Sequence, residues 1–455
     1  MAVTDAVPSI PGLPPDLPSL RNSVQYIEQL GKSSAVDVLS KANDAGVFAL
    51  QPRCGVGGHD EMRTLLGTLE HAASPDILSL TIDSHTRLQR FDSALRSLNT
   101  HPGSLNGYPL VTHGWRRGRE LNEHVSAPLE IRHGSPDARA LFEVAAASGI
   151  TSFEGGGISY NLPYSKDVPL ATSIQAWQDV DCRCGEFASH GIIIDRELFG
   201  TLTAVLIPPS ISLAISVIEA LLATAEGVAC ISVAYPQGGH LEQDVAALQA
   251  IPILADRYLP PDVSVFSVLH EFMGAFPGSR SGAESLILYG AFAARLGGAD
   301  KLITKTHQEA VGIPDATANA DGIRLARLAT SPVFDFVGYD KDRVNDELRY
   351  ILDEVDELLS PLDLGSGLRK SVTAAFEAGQ LDIPFSASVH ARSAVVPRRD
   401  SVGAIRYHDA GNLSLSDATR RRHHAQLDTG TSEFGGSLFT RLTDDINHFV
   451  TMLDC

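Results

Sequence analysis

Three arginines stand at or just beyond the ends of short apolar runs. Arg53 follows VFALQP at 47–52, Arg87 lies beyond ILSLTI at 77–82, and Arg132 ends LEI at 129–131. Guanidinium forks hold carboxylates and phosphates in fixed, often bidentate geometry. One such arginine is usually a surface ion-pair residue. Three at separate run ends point to an anion, or to two anionic groups on one molecule. His133 adjoins Arg132, and Glu154 follows TSF at 151–153, just before Gly155–Gly157. A carboxylate among arginines either pairs with one of them or meets a cationic group on the same ligand, such as an ammonium. The glycines either let another molecule approach the backbone closely or make an ordinary turn. Tyr160, Pro163 and Tyr164 come next. Tyrosines in such a loop cap a pocket and donate hydrogen bonds to a carboxylate, or simply pack. Lys301 and Lys305 are four apart, so on a strand they share a face, and Glu309 follows four residues later. Lys305 is also a candidate Schiff-base amine of the aldolase kind.

What must position these side chains is a repeated strand and helix. Apolar runs occur at 47–52, 77–82, 108–113, 129–133, 151–155, 203–209, 229–235, 263–269 and 301–305. Helix-like segments such as 60–71, 136–147, 211–226 and 284–296 separate most of them. This alternation predicts parallel strands with crossover helices. About eight repeats predict an α/β fold, a TIM-type (β/α)8 barrel whose ligand sits at the C-terminal strand ends. Nine runs exceed eight strands, and 108–113 is the expected odd one because the next run is so close. The reading divides the chain into a Pro-rich N-terminal arm (1–24), the barrel (25–330) and a mixed, largely helical C-terminal region (331–455). In the last, Val344, Leu348, Ile351, Leu352, Val355, Leu358 and Leu359 share one helical face. Arg420–Arg422 is expected on a solvated helix face.

Composition sets bounds. The chain has 455 residues, 44% of them hydrophobic, enough for a large core. The net charge of −19 argues against nucleic acid and against an anionic membrane face. The apolar stretch 211–233 is broken by Glu219 and Glu226, so it reads as a buried helix and strand, not a membrane span. Five scattered cysteines and a start without a basic n-region fit a reducing cytoplasm. Cys182 and Cys184 lack a second pair at zinc-site spacing, and no metal site is expected.

Local strings go further. QPRCGVGGHDEM, LTIDSHTRLQRFD, LNGYP, RHGSPDAR, TSFEGGGISYNLPYSK, LFGTLTAVLIPPS, FMGAFP, KTHQEAVGIP and AFEAGQLDIPF occur in that order. From about residue 25 to about 410 the chain resembles the large, or epsilon, subunit of glutamate mutase (methylaspartate mutase). That resemblance implies a TIM-type barrel capped by adenosylcobalamin, which a separate small cobalamin-binding subunit holds. Radical chemistry started at the cofactor interconverts L-glutamate and (2S,3S)-3-methylaspartate. By resemblance, Arg53, Arg87 and Arg132 grip the substrate carboxylates, and His133, Tyr160 and Tyr164 add substrate contacts. Glu154 meets the substrate amino group as the catalytic carboxylate. Lys301, Lys305 and Glu309 surround the adenosyl moiety, while Asn106, Gly155, Pro163, Phe199 and Met273 line the cavity or corrin face. A homodimer of large subunits within a heterotetramer is implied as well.

Cys54 departs from the family pattern, where a small apolar residue is expected, and the resemblance fades after about Asp417. The cobalt-binding string Asp-x-His-x-x-Gly is absent: Asp83-Ser84-His85 continues Thr86-Arg87-Leu88. A mutase acting on a related acidic amino acid, a Lys-dependent aldolase-like barrel and an inactive scaffold stay open as alternatives.

Overall fold

All but two of the apolar runs become strands in the computed structural model, which describes residues 10–428 and 437–454. The parallel strands are β1 (Ala49–Pro52), β2 (Leu78–Thr81), β3 (Leu129–Arg132), β4 (Ser152–Glu154), β5 (Asp195–Leu198), β6 (Cys230–Pro236), β7 (Ser264–His270) and β8 (Lys301–Thr304). They pair in the order β1-β8-β7-β6-β5-β4-β3-β2 and curl into a barrel. Helices cross over between them, as α/β barrels require.

The seam between β1 and β2 has no regular ladder, and proline explains it. Residues 50, 52 and 54 face β2, but Pro52 has no N–H to give. Ser79 fills the gap: its hydroxyl donates to the Pro52 carbonyl (2.8 Å) and accepts the Cys54 N–H (3.2 Å). The Thr81 N–H then reaches the Cys54 carbonyl at 2.8 Å.

Of the expected strands, 108–113 is indeed extra. Tyr108 makes one parallel bridge to Ile82, and Leu110–His113 is a helical turn. The run 203–209 is not a strand. It is a loop, with Ala204 and Val205 at φ 49° and 52°, leading into the helix Pro209–Ala225. The true fifth strand is Asp-Arg-Glu-Leu, which hydropathy cannot detect. Its charges face buried partners, so all four residues are buried.

Outside the barrel, the first helix begins at Leu20, within the stretch expected to be an arm, capped by Ser19. The helix Lys341–Leu359 lays Val344, Ile351, Val355, Leu358 and Leu359 against the barrel helices Leu241–Tyr258 and Pro209–Ala225. A hairpin of β9 (Val396–Arg399) and β10 (Ile405–Asp409) follows. Arg420 and Arg422 are not merely solvated. Arg420 donates to the carbonyls of Gly411, Leu413 and Leu415, and Arg422 pairs with Glu354 and lies 4.1 Å above the Tyr350 ring. The last helix, His448–Leu453, packs Phe449 on Phe272 and brings Asp454 to the amides of Gly278 and Ser279. No helix among the described residues is long and apolar enough to cross a membrane.

Candidate active site

Side chains from five of the eight strands meet in the barrel interior, and unlike the usual branched apolar filling they are charged or titratable. Glu130 and Arg132 come from β3, Glu154 from β4, Asp195 and Glu197 from β5, His270 from β7 and Lys301 from β8, all buried. Arg132 lies 3.1 Å from Glu130, 3.2 Å from Glu197 and 2.5 Å from Glu154. Burial opposes its charge, but Glu154, Glu197 and Glu130 outweigh that and hold the guanidinium charged.

Glu154 differs from its neighbours. Burial, with Glu197 and Glu130 close by, pushes its carboxyl up to about 8 despite Arg132. Its Oε2 accepts the Tyr160 hydroxyl. Its Oε1 touches Arg132 without an aligned N–H, leaving a lone pair unused. Glu197 goes the other way: against burial, Lys301, His270 and Arg132 keep it well below the usual carboxylate range. Burial and Arg132 hold His270 down to about 3, so it is neutral. Its proton then sits on Nε2, 3.0 Å from Glu197.

Arg53 and Arg87 stand partly exposed at the ends of β1 and β2 and have no carboxylate partner among the described residues. Both lie, with Arg132, within electrostatic reach of the Tyr164 hydroxyl, whose proton burial and Glu154 help to retain. Tyr164 is 47% exposed, its ring edge-on to the buried Tyr160. His133 stacks on Trp177 (5.6 Å) and meets Tyr160 edge-on (5.0 Å). Burial, with Arg196, Arg87 and Arg132, keeps it neutral. Its Nδ1 accepts the Ser135 N–H, and among the described residues its Nε2 has no hydrogen-bond partner.

The loop after β4 is shaped by close packing. Gly155 has φ 116°, and a Cβ there would strike Tyr160 and Trp177. A Cβ on Gly156 would lie 2.2 Å from the Glu219 carboxyl. Glu219 accepts the N–H groups of Ile158 (2.7 Å) and Ser159 (2.8 Å), fixing the turn that carries Tyr160, Pro163 and Tyr164. Gly155 and Gly156 therefore serve close packing of the loop.

At the rim, Lys305 Nζ meets Glu309 at 2.9 Å, and its backbone N–H is held by Glu271 at 2.5 Å. Burial and Arg53 bring the Lys305 ammonium down to about 8, against Glu309. Phe199 packs between Tyr160 and His270, and Met273 lies against His270. Asn106 is exposed and caps the Ser84 N–H that opens the Arg87 turn. Lys301, expected with Lys305 at the adenosyl group, is enclosed between Glu130 (2.6 Å) and Glu197 (2.5 Å) and reaches no surface. Cys54 turns its thiol to the Ser79 carbonyl (3.1 Å), and burial pushes it up to about 12, so it presents no thiolate.

The sequence reading missed Glu130, Glu197 and His270. The signal was present as charges two apart, Glu130 with Arg132 and Asp195 with Glu197, the spacing of one strand face. Glu154, Glu197 and His270 lie close enough together to share a cation. Arg132 and Lys301 already bring two positive charges against these carboxylates, which argues against a metal ion there.

Fold and site define a (β/α)8-barrel protein with a buried cluster of charged side chains inside the barrel and arginines at or beyond the C-terminal ends of three strands. The chain matches the family model described as Methylaspartate mutase E chain (MutE) over residues 31–451, and it belongs to that family. It is 40% identical over 444 residues to the glutamate mutase epsilon subunit of Escherichia coli O157:H7, covering 95% of this chain and 92% of that one. The protein of that name from Desulfitobacterium hafniense (strain Y51) is 39% identical over 442 residues, covering 93% and 90%. That from Halobacterium salinarum is 41% identical over 416 residues, covering 89% and 86%.

Proposed function

We propose that this chain is the large, substrate-binding subunit of an adenosylcobalamin-dependent isomerase that interconverts L-glutamate and (2S,3S)-3-methylaspartate. One observation supports the reading: Arg53, Arg87 and Arg132 all lie within electrostatic reach of Tyr164, and Glu154, which touches Arg132, has an unused lone pair. Two carboxylates and one ammonium are what such a set selects. Arg53 and Arg87 would grip carboxylates at the mouth and Arg132 one at the floor. Glu154, steadied by Tyr160, would accept the ammonium and hold or release a proton at Oε1. His133 would donate from Nε2 to a carboxylate, and Tyr164 would close the mouth. Burial keeps water out, which suits reactive intermediates.

The rim fits the cofactor. Lys305 offers a donor and Glu309 an acceptor for ribose hydroxyls, beside the unpaired buried Oε1 of Glu271. Asn106, Gly155, Pro163, Phe199 and Met273 would face the corrin side. The bound cobalamin would supply the radical chemistry, and the protein binding, orientation and shielding. A small cobalamin-binding partner is part of the proposal, as are a pair of large subunits in a heterotetramer and a cytoplasmic setting.

The test combines the chain with adenosylcobalamin, a small cobalamin-binding mutase subunit and L-glutamate, with 3-methylaspartate as the readout. Product that requires all components is expected; none under any combination overturns the proposal. A panel of related acidic amino acids separates a sister substrate. The lowered Lys305 amine favours one rival, a Schiff-base aldolase, and borohydride trapping of substrate on Lys305 would support it.

A further inference from the structure

Beneath the cavity, four side chains close a ring. The Lys301 ammonium lies 2.6 Å from Glu130 Oε2 and 2.5 Å from Glu197 Oε2. Arg132 Nη1 lies 3.1 Å from Glu130 Oε1 and 3.2 Å from Glu197 Oε1. Gln51 and Ser152 donate to Glu130, and His270 to Glu197. None of the four reaches solvent appreciably.

We propose that Glu130, Glu197 and Lys301 are positioning residues for Arg132, holding Nη1 from below so that its Nε–Nη2 edge is the one offered to a ligand carboxylate beside Glu154. The inference rests on the reading of the cavity as a site for an amino dicarboxylate. A guanidinium presents more than one two-pronged edge. The ring occupies Nη1, Nη2 turns toward Glu154, and the buried Nε has no partner among the described residues. An apolar filling would serve stability at least as well as buried ions do, so the consequence of the ring is orientation. It also balances itself, two cations against two anions. Glu154 stands outside it, facing Arg132, Glu130, Glu197, His270 and Tyr160, so a cationic group on the ligand is what would favour its ionised form.

The test uses the complete complex of large subunit, small partner and coenzyme. Calorimetry measures binding of L-glutamate and of glutarate, which keeps both carboxylates and lacks the amine. The double variant Lys301→Met/Glu130→Gln removes one cation and one anion together, keeping buried charge balanced. It is expected to bind glutarate at least tenfold more weakly, with the melting temperature little changed. Binding within twofold of wild type in a folded double variant, or no glutarate binding by wild type, overturns the proposal. If the double variant does not fold, Glu197→Gln decides. The pH midpoint of proton release on L-glutamate binding should fall by about one unit once that neighbouring negative charge is gone; an unmoved midpoint overturns the proposal. Turnover by the wild-type complex is read separately. Its absence with glutarate binding intact would sink the proposed reaction and leave the ring standing.

Discussion

Arg132 is tightly constrained, since one guanidinium serves three glutamates. A lysine there would keep the charge but lose the planar fork. Arg132→Lys should lower kcat/KM for L-glutamate roughly a hundredfold, about 3 kcal/mol; near-normal kinetics would remove Arg132 from the grip. Glu154 makes a pH prediction. Its carboxyl is raised from 4.5 to about 8, so without ligand it holds a proton at neutral pH. Because the folded value is the higher one, ionising it between those pH values works against the ligand-free fold, and stability from this group falls as pH rises through that window. A ligand ammonium reverses the preference. Binding near pH 6.5 should therefore release close to one proton, and the release should shrink as pH rises through about 8. Calorimetry in two buffers of different ionisation enthalpy measures this, and Glu154→Gln should abolish the release.

At the scale of elements, the loop after β4 is as important as the strand itself. Glu219, on the helix Pro209–Ala225, reaches across to the amides of Ile158 and Ser159 and thereby sets the height of Tyr160. Gly156→Ala would drive a Cβ into the Glu219 carboxyl. The expected cost is about 1–3 kcal/mol in stability, with faster hydrogen exchange at Ile158 and Ser159 and a raised KM for substrate. Unchanged exchange at those two amides would show that the loop does not depend on the contact.

At the scale of the molecule, the chain's last helix ties the C-terminal region back to the barrel mouth. Phe449 lies 4.8 Å from Phe272, and Asp454 caps the amides of Gly278 and Ser279, bracketing the loop that carries Met273. Deleting residues from 447 onward should leave the barrel folded and loosen that loop. The coenzyme concentration giving half-maximal rate should rise several-fold, with the maximal rate largely kept. A coenzyme titration of the truncated complex checks this.

The amino-acid sequence by itself determined most of the repeat of strand and helix, because parallel strands buried on both faces are mostly apolar and their crossovers are long. It also marked Arg53, Arg87, Arg132 and Glu154, because in a barrel the C-terminal strand ends and the loops after them carry the site. Only the tertiary structure decided that β5 is the charged segment Asp195–Leu198, since its side chains are buried by partners from other strands and local hydropathy holds no record of them. The same holds for Lys301: its spacing from Lys305 placed both on one strand face, and barrel closure sets it between Glu130 and Glu197. A charge pattern names candidates. Which of them meet, and which carboxylate is left without a counter-ion, follows from the packing of distant strands around one axis.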